Sequence, residues 1–182
     1  MSALVSSIPM PYLRSARHRI AAGAVAALAA GAVVARYHGS ANGWLAAFAA
    51  AVLVVLAAVD IEARKVPNAI VVPAACLVLV ARLVLDPGWS WPVAAFAAAL
   101  SFFVLAIIRP GALGMGDVKL VFLMGALLGP TVVAALVVGT VSGAVVGLLL
   151  IARHGADARR ISIPYAPFLV SGALAVLLLG HP

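Results

Sequence analysis

Charge is what this sequence has least of: Asp, Glu, Lys and Arg together make up 9% of its 182 residues. A soluble domain carries about 25%, so no water-facing surface can be assembled here and the bilayer must serve as solvent for most of the chain. Acids are scarcer than bases, five against twelve, which leaves a net charge of +7. Twelve Lys and Arg spread through short gaps, with no aromatic–basic surface, exclude a nucleic-acid partner. The single cysteine, Cys76, excludes an intramolecular disulfide and an all-cysteine metal site. Lying inside an apolar run, it reads as a buried small hydrophobe. The four histidines, His18, His38, His154 and His181, fall in tails or connections, and no H-E-x-x-H pair exists to hold zinc. No serine has a neighbouring histidine or a G-x-S-x-G setting. Gly111 to Gly116 lacks the G-K-S/T of a phosphate loop. The sequence therefore calls for no metal and no cofactor. It has no long linker or internal repeat, and carries no signal for an oligomeric state.

Apolar residues, by contrast, make up 66% of the chain, and its mean hydropathy is +1.23. They fall in runs at residues 20–35, 44–59, 69–85, 91–108, 118–129, 131–151 and 163–180. Most approach the ~17–25 residues that cross a hydrocarbon core of about 30 Å. Inside lipid the backbone must satisfy itself, and no alternating pattern argues for strands, so the expected fold is an all-α polytopic transmembrane helix bundle. The fifth run is short, yet 118–151 is too long for one span and Gly129-Pro130 is a turn signal. Dividing it gives seven helices; six result if it is left whole. Arg14, Arg17 and Arg19 precede the first run, Arg64 and Lys65 follow the second, Arg109 the fourth, and Arg153, Arg159 and Arg160 the sixth. Bases in alternate gaps place the N-terminus in the cytoplasm of a multi-pass inner-membrane protein. Residues 1–19 read as a basic cytoplasmic tail and 20–182 as one transmembrane domain, its first helix retained rather than cleaved as a signal peptide.

Of the five acids, Asp86 precedes Pro87-Gly88 and reads as a turn residue, and Asp157 lies in a basic polar loop. Asp60 ends the second apolar run and Asp117 opens the fifth. The predicted topology puts both at cytoplasmic helix ends, where they can share one site. An acid at membrane depth is either functional or a paired structural group. Two aspartates that share a proton can hydrolyse a peptide without a metal, one drawing a proton from water and the other donating to the carbonyl. Gly114 and Gly116 would let the backbone approach closely beside Asp117. The plain alternative has Asp60 as a boundary residue and Asp117 as a helix N-cap, with Lys119 reaching to phosphate. A small transporter using both acids as membrane ionisable groups fits the same pattern.

Two stretches carry a more specific signal. Asp60-Ile61-Glu62-Ala63-Arg64-Lys65-Val66-Pro67-Asn68 and Gly114-Met115-Gly116-Asp117-Val118-Lys119-Leu120, with Ile163-Pro164-Tyr165-Ala166-Pro167-Phe168 as a third, resemble the bacterial prepilin peptidases, or type IV leader peptidases. G-x-G-D alone also occurs in presenilin-like intramembrane proteases; the ordered set is more specific. The resemblance covers roughly residues 45–180. It implies an aspartic endopeptidase that removes a short basic leader from type IV pilin-like, Flp/Tad or pseudopilin precursors, its substrate's apolar helix held in the phospholipid bilayer. It implies Asp60 and Asp117 as catalytic pair and Gly114 and Gly116 as shapers of the backbone. Arg64, Lys119, Pro67 and Asn68 become positioning residues. A non-catalytic subunit of a pilus or secretion assembly would keep the same motifs. Larger members of the family it resembles carry a cytosolic, often zinc-binding domain between their first two helices and methylate the new N-terminus. Here only Tyr37 to Gly43 fills that space, so cleavage without methyl transfer is expected.

Overall fold

The computed structural model describes residues 16–109, 113–154 and 163–180. Every regular element among them is helical. They are α1 (Ala16–Arg36), α2 (Ala41–Ala63), α3 (Asn68–Leu85), α4 (Ser90–Ile108), α5 (Met115–Leu128), α6 (Val132–His154) and α7 (Ala166–Leu179), with a 3-10 turn at Gly129–Thr131 between α5 and α6. Five helices are long and apolar enough to cross a membrane when Met115–His154 is counted as one. On that count the bundle has six helices; divided at the turn, it has seven. Large apolar side chains such as Val80, Phe96, Leu100, Val133 and Leu148 point outward, as they must where the surrounding medium is hydrocarbon.

The helix starts follow local chemistry. Ser40 caps α2, its hydroxyl accepting the Gly43 N–H at 3.1 Å. Pro67 stands just before α3, where its carbonyl accepts the Ile70 and Val71 N–H groups and its own missing N–H costs nothing. Helix α2 ends on Arg64, which adopts the left-handed conformation (φ 50°) and returns its N–H to the Asp60 carbonyl at 2.8 Å. Helix α1 begins at Ala16. Arg17 and Arg19, expected in a tail through residue 19, therefore lie in its first turn.

The break after α5 is steric. Gly129 has φ +57°, and a Cβ there would lie 2.8 Å from the Trp91 ring, so the chain turns where only glycine fits. Helix α6 then runs back: Gly139 lies against Phe168 and Leu169, and Gly143 against Tyr165. Helix α5 has 14 residues, about 21 Å, too short for an ordinary span. Nine of them are buried, because α5 is packed among α2, α3, α4 and α7. A helix shielded from lipid by its neighbours need not match the bilayer thickness. It meets α4 backbone to backbone, a Cβ on Gly125 falling 2.6 Å from the Ala95 Cα, the close approach that small residues permit in membranes.

One expectation is overturned. Cys76 is exposed, on the outer face of α3 rather than in the core, because the buried stripe of that helix passes through Val71, Ala74, Ala75 and Val78.

Candidate active site

Asp60 and Asp117 stand at the same end of the bundle. Asp60 sits in the last turn of α2 and is 7% exposed. Asp117 is in the first turn of α5, half-buried. The two carboxylates are near enough to interact electrostatically.

Each is fixed by the start of a helix. Asp60 Oδ2 accepts the Ala166 N–H at 3.1 Å, and the Tyr165 N–H also points at this carboxylate. The first amides of a helix have no partner within it and carry its positive dipole end, so α7 presents its N-terminus to the acid. Asp117 Oδ2 accepts the Gly114 N–H at 3.1 Å, while the Asp117 N–H donates to the Gly114 carbonyl at 3.0 Å. Gly114, not Asp117, is thus the N-cap of α5. Asp117 occupies the third helical position and caps backwards with its carboxylate. In both aspartates the bond of printed length uses one carboxylate oxygen, Oδ2.

The remaining motif residues join the two halves. A Cβ on Gly116 would lie 2.8 Å from Val66 Cβ, so the G-x-G-D turn rests directly on the α2–α3 connection. Lys119 Nζ donates to Asn68 Oδ1 at 2.7 Å, tying α5 to the first residue of α3. Pro67 is buried beside them, and the Arg64 guanidinium acts on Asp60 through its charge. A hydrogen-bonded contact between His18 and Glu62 pins α1 to the same end. Among the described residues, no three His, Cys, Asp or Glu side chains gather where they could hold a metal. Arg14, Gly111, Asp157, Arg159 and Arg160 lie outside the described residues.

The part that the start of α7 plays in this site leaves only a faint trace in the sequence. The flanking Pro164 and Pro167 mark a helix beginning, and the stretch from Ile163 to Phe168 is the third of the matching motifs, but neither says that its amides reach Asp60. Tyr165 also links the site to the lipid-facing surface. Its hydroxyl donates to Thr140 Oγ1 at 3.2 Å, and its ring lies 6.4 Å from that of Phe102. Thr140 and Ser101 form one end of an open apolar groove of about 670 Å³ between α4 and α6, whose far end is Pro130 and Val93.

Residues 47–151 match the type IV leader peptidase family, a stretch that takes in both aspartates. The prepilin leader peptidase/N-methyltransferase of Bacillus subtilis (strain 168) is 32% identical over 136 residues, covering 70% of this chain and 52% of that protein. The chain thus spans about half the length of this curated relative. No solved structure matches. With both acids inside the matched stretch and the motifs around them meeting at one end of the bundle, the chain belongs to the type IV leader peptidase family.

Proposed function

We propose that the protein is an aspartic endopeptidase that removes the leader from a type IV pilin-like precursor, with Asp60 and Asp117 as its catalytic pair. The observation that supports this reading is the placement of two carboxylates from separate helices at the same end of the bundle, each with one oxygen anchored by a helix-start amide. The anchoring bonds set the orientation of the two carboxylates, which then serve the reaction. One carboxylate, ionised, takes a proton from water as the water attacks the scissile carbonyl. The other, protonated, donates to the carbonyl oxygen and stabilises the charge that develops there. When the tetrahedral adduct collapses, the amine leaves with a proton from the dyad and the pair is restored.

Arg17, Arg19, Arg64, Lys65, Arg109, Lys119 and Arg153 all lie toward the aspartate end, which supports placing that end, and the N-terminus, at the cytoplasmic face of the inner membrane. A precursor whose leader is cytoplasmic and whose following helix is apolar suits this position. The groove between α4 and α6 takes that helix, since its wall continues through Thr140 to Tyr165 and so to Asp60.

Purified protein in detergent, incubated with a co-purified prepilin and S-adenosylmethionine, will release the leader and leave the new N-terminus unmethylated. Mass spectrometry of the pilin reads both outcomes. Methyl transfer at a rate matching cleavage would remove the second half of this expectation. A pilin of unchanged length across the candidate precursors, with proton-gradient-dependent solute uptake instead, would favour a transporter.

The seat of the G-x-G-D turn gives a narrower test. Gly116→Ala pushes Val66 outward and shifts Asp117 relative to Asp60, and a misplacement of about 1 Å costs on the order of 100-fold in rate. Cleavage will fall by about 10–100-fold with the protein still folded. Val66→Gly in the same chain, which removes the Cβ in the way, will recover most of it. A double variant as slow as Gly116→Ala alone would show that this contact is not what matters.

A further inference from the structure

The bundle end remote from the aspartates holds a second polar site, which the proposed hydrolysis does not use. Arg82 lies within the apolar run of α3 and is 7% exposed. A guanidinium in such a run is costly and calls for a partner. Its Nη1 donates to Asn42 Oδ1 at 3.0 Å, and its Cζ lies 4.5 Å above the Trp91 ring. Trp91 is held in turn by its Nε1, which donates to the Asp86 carbonyl at 3.1 Å. Nε is buried with no partner, and Nη2 makes no hydrogen bond to any described residue. These two nitrogens form one edge of the guanidinium fork, and that whole edge lacks an acceptor. Among the described residues no carboxylate lies within ion-pair distance of Arg82. The α3 C-terminus offsets part of the charge through its dipole but supplies no acceptor to this edge.

Arg82 lines a pocket of about 510 Å³, together with Arg36, Ser40, Asn42, Thr131 and Asp86. The formal charges, two arginines against one aspartate, leave it positive by one. The chain turns here at Tyr37–Ser40 and again at Asp86–Trp89, and the exposed Trp44 and Trp89 flank the same end. Tryptophans at chain turns mark the depth of the headgroups.

We propose that this pocket binds a phosphate oxyanion, with the Arg82 guanidinium donating to it, Nη2 foremost and Nε once a small shift uncovers it, and Arg36 supplying the second positive charge. The planar fork matches two phosphate oxygens at once, which a lysine could not do. The phosphate can come from a lipid headgroup or from solution, and the two are separable. The protein is purified in dodecyl maltoside and its melting temperature followed during titration with dihexanoyl phosphatidylglycerol, with inorganic phosphate, with chloride at matched ionic strength, and with dihexanoylglycerol.

The expected result is a saturable rise with phosphatidylglycerol that dihexanoylglycerol does not reproduce. A rise with inorganic phosphate beyond chloride assigns the site to the free anion as well. Arg82→Met removes the charge while keeping the volume, and will weaken apparent affinity by about 10–100-fold, the scale of a charged bidentate pair. If that variant does not fold, half-buried Arg36→Gln carries the comparison and will weaken binding about tenfold. Stabilisation by neither phosphate compound, or an unchanged affinity in the variant that folds, would overturn the assignment.

Discussion

Asp60→Asn and Asp117→Asn will each lower leader cleavage by at least about 10³-fold, the upper range of what a positioned acid or base contributes, while yield and melting temperature will stay near wild type. The separation of chemistry from fold follows from the anchoring bonds. An asparagine Oδ1 accepts the Ala166 N–H, or the Gly114 N–H, as the carboxylate does, so the helix starts remain capped. What the amide cannot do is hold a proton between two like groups or release one to a leaving amine. On the proposal that the two acids act as a unit, the double variant will be about as slow as either single one, the non-additivity expected of residues serving one step. Rates from gel-resolved prepilin cleavage in detergent decide it. Wild-type processing by either variant would show that the assigned residue is not part of the reaction.

Gly172→Ala is the substitution that damages the fold most for its size. A Cβ at this position falls on the Ala135 carbonyl oxygen and 2.8 Å from the Gly139 nitrogen. These are backbone atoms of α6, and no rotamer change relieves the clash. Helix α7 must move away, and overpacking of this kind costs about 1–3 kcal/mol or more. At roughly 2–4 °C per kcal/mol for a chain of this length, the melting temperature will drop by about 5–10 °C. Cleavage falls too, because the same movement withdraws the Ala166 amide from Asp60. Gly147→Ala in α6 is the control: nothing lies within 4 Å of its Cβ, so it will be neutral or slightly stabilising by helix propensity. Equal melting temperatures for the two variants would contradict this packing of α7 on α6.

The runs of apolar residues located all seven helices to within a few positions, because a lipid-exposed span announces itself by composition. The second and fifth spans likewise delivered Asp60 and Asp117 to one end, since the number of crossings between them decides which end each reaches. Composition failed where the cause was tertiary. The depth of burial of α5 could not be read from its length, and Cys76 faces outward although its run is apolar on every side. The Ala166 amide meets Asp60 across 106 positions, and nothing local in either segment encodes that. Asp117 looked like an N-cap; the glycine three residues earlier takes that place, because a glycine can cap without a side chain when an acid downstream returns the bond. Arg82 passed as part of a span, although a lone guanidinium there was the one residue that the cost of burying charge should have flagged.

The helices pack chiefly as successive antiparallel pairs, α1 with α2, α4 with α5 and α6 with α7. Each pair contributes one part of the aspartate site: Asp60 from the first, Asp117 from the second, the Tyr165–Ala166 amides from the third. A ribosome delivers these hairpins to the membrane in that order. The half-made protein therefore already holds both acids but not the amides that orient Asp60. On the mechanism proposed above, Asp60 would gain its orienting amides only once α6 and α7 have been inserted, so cleavage would wait on that hairpin.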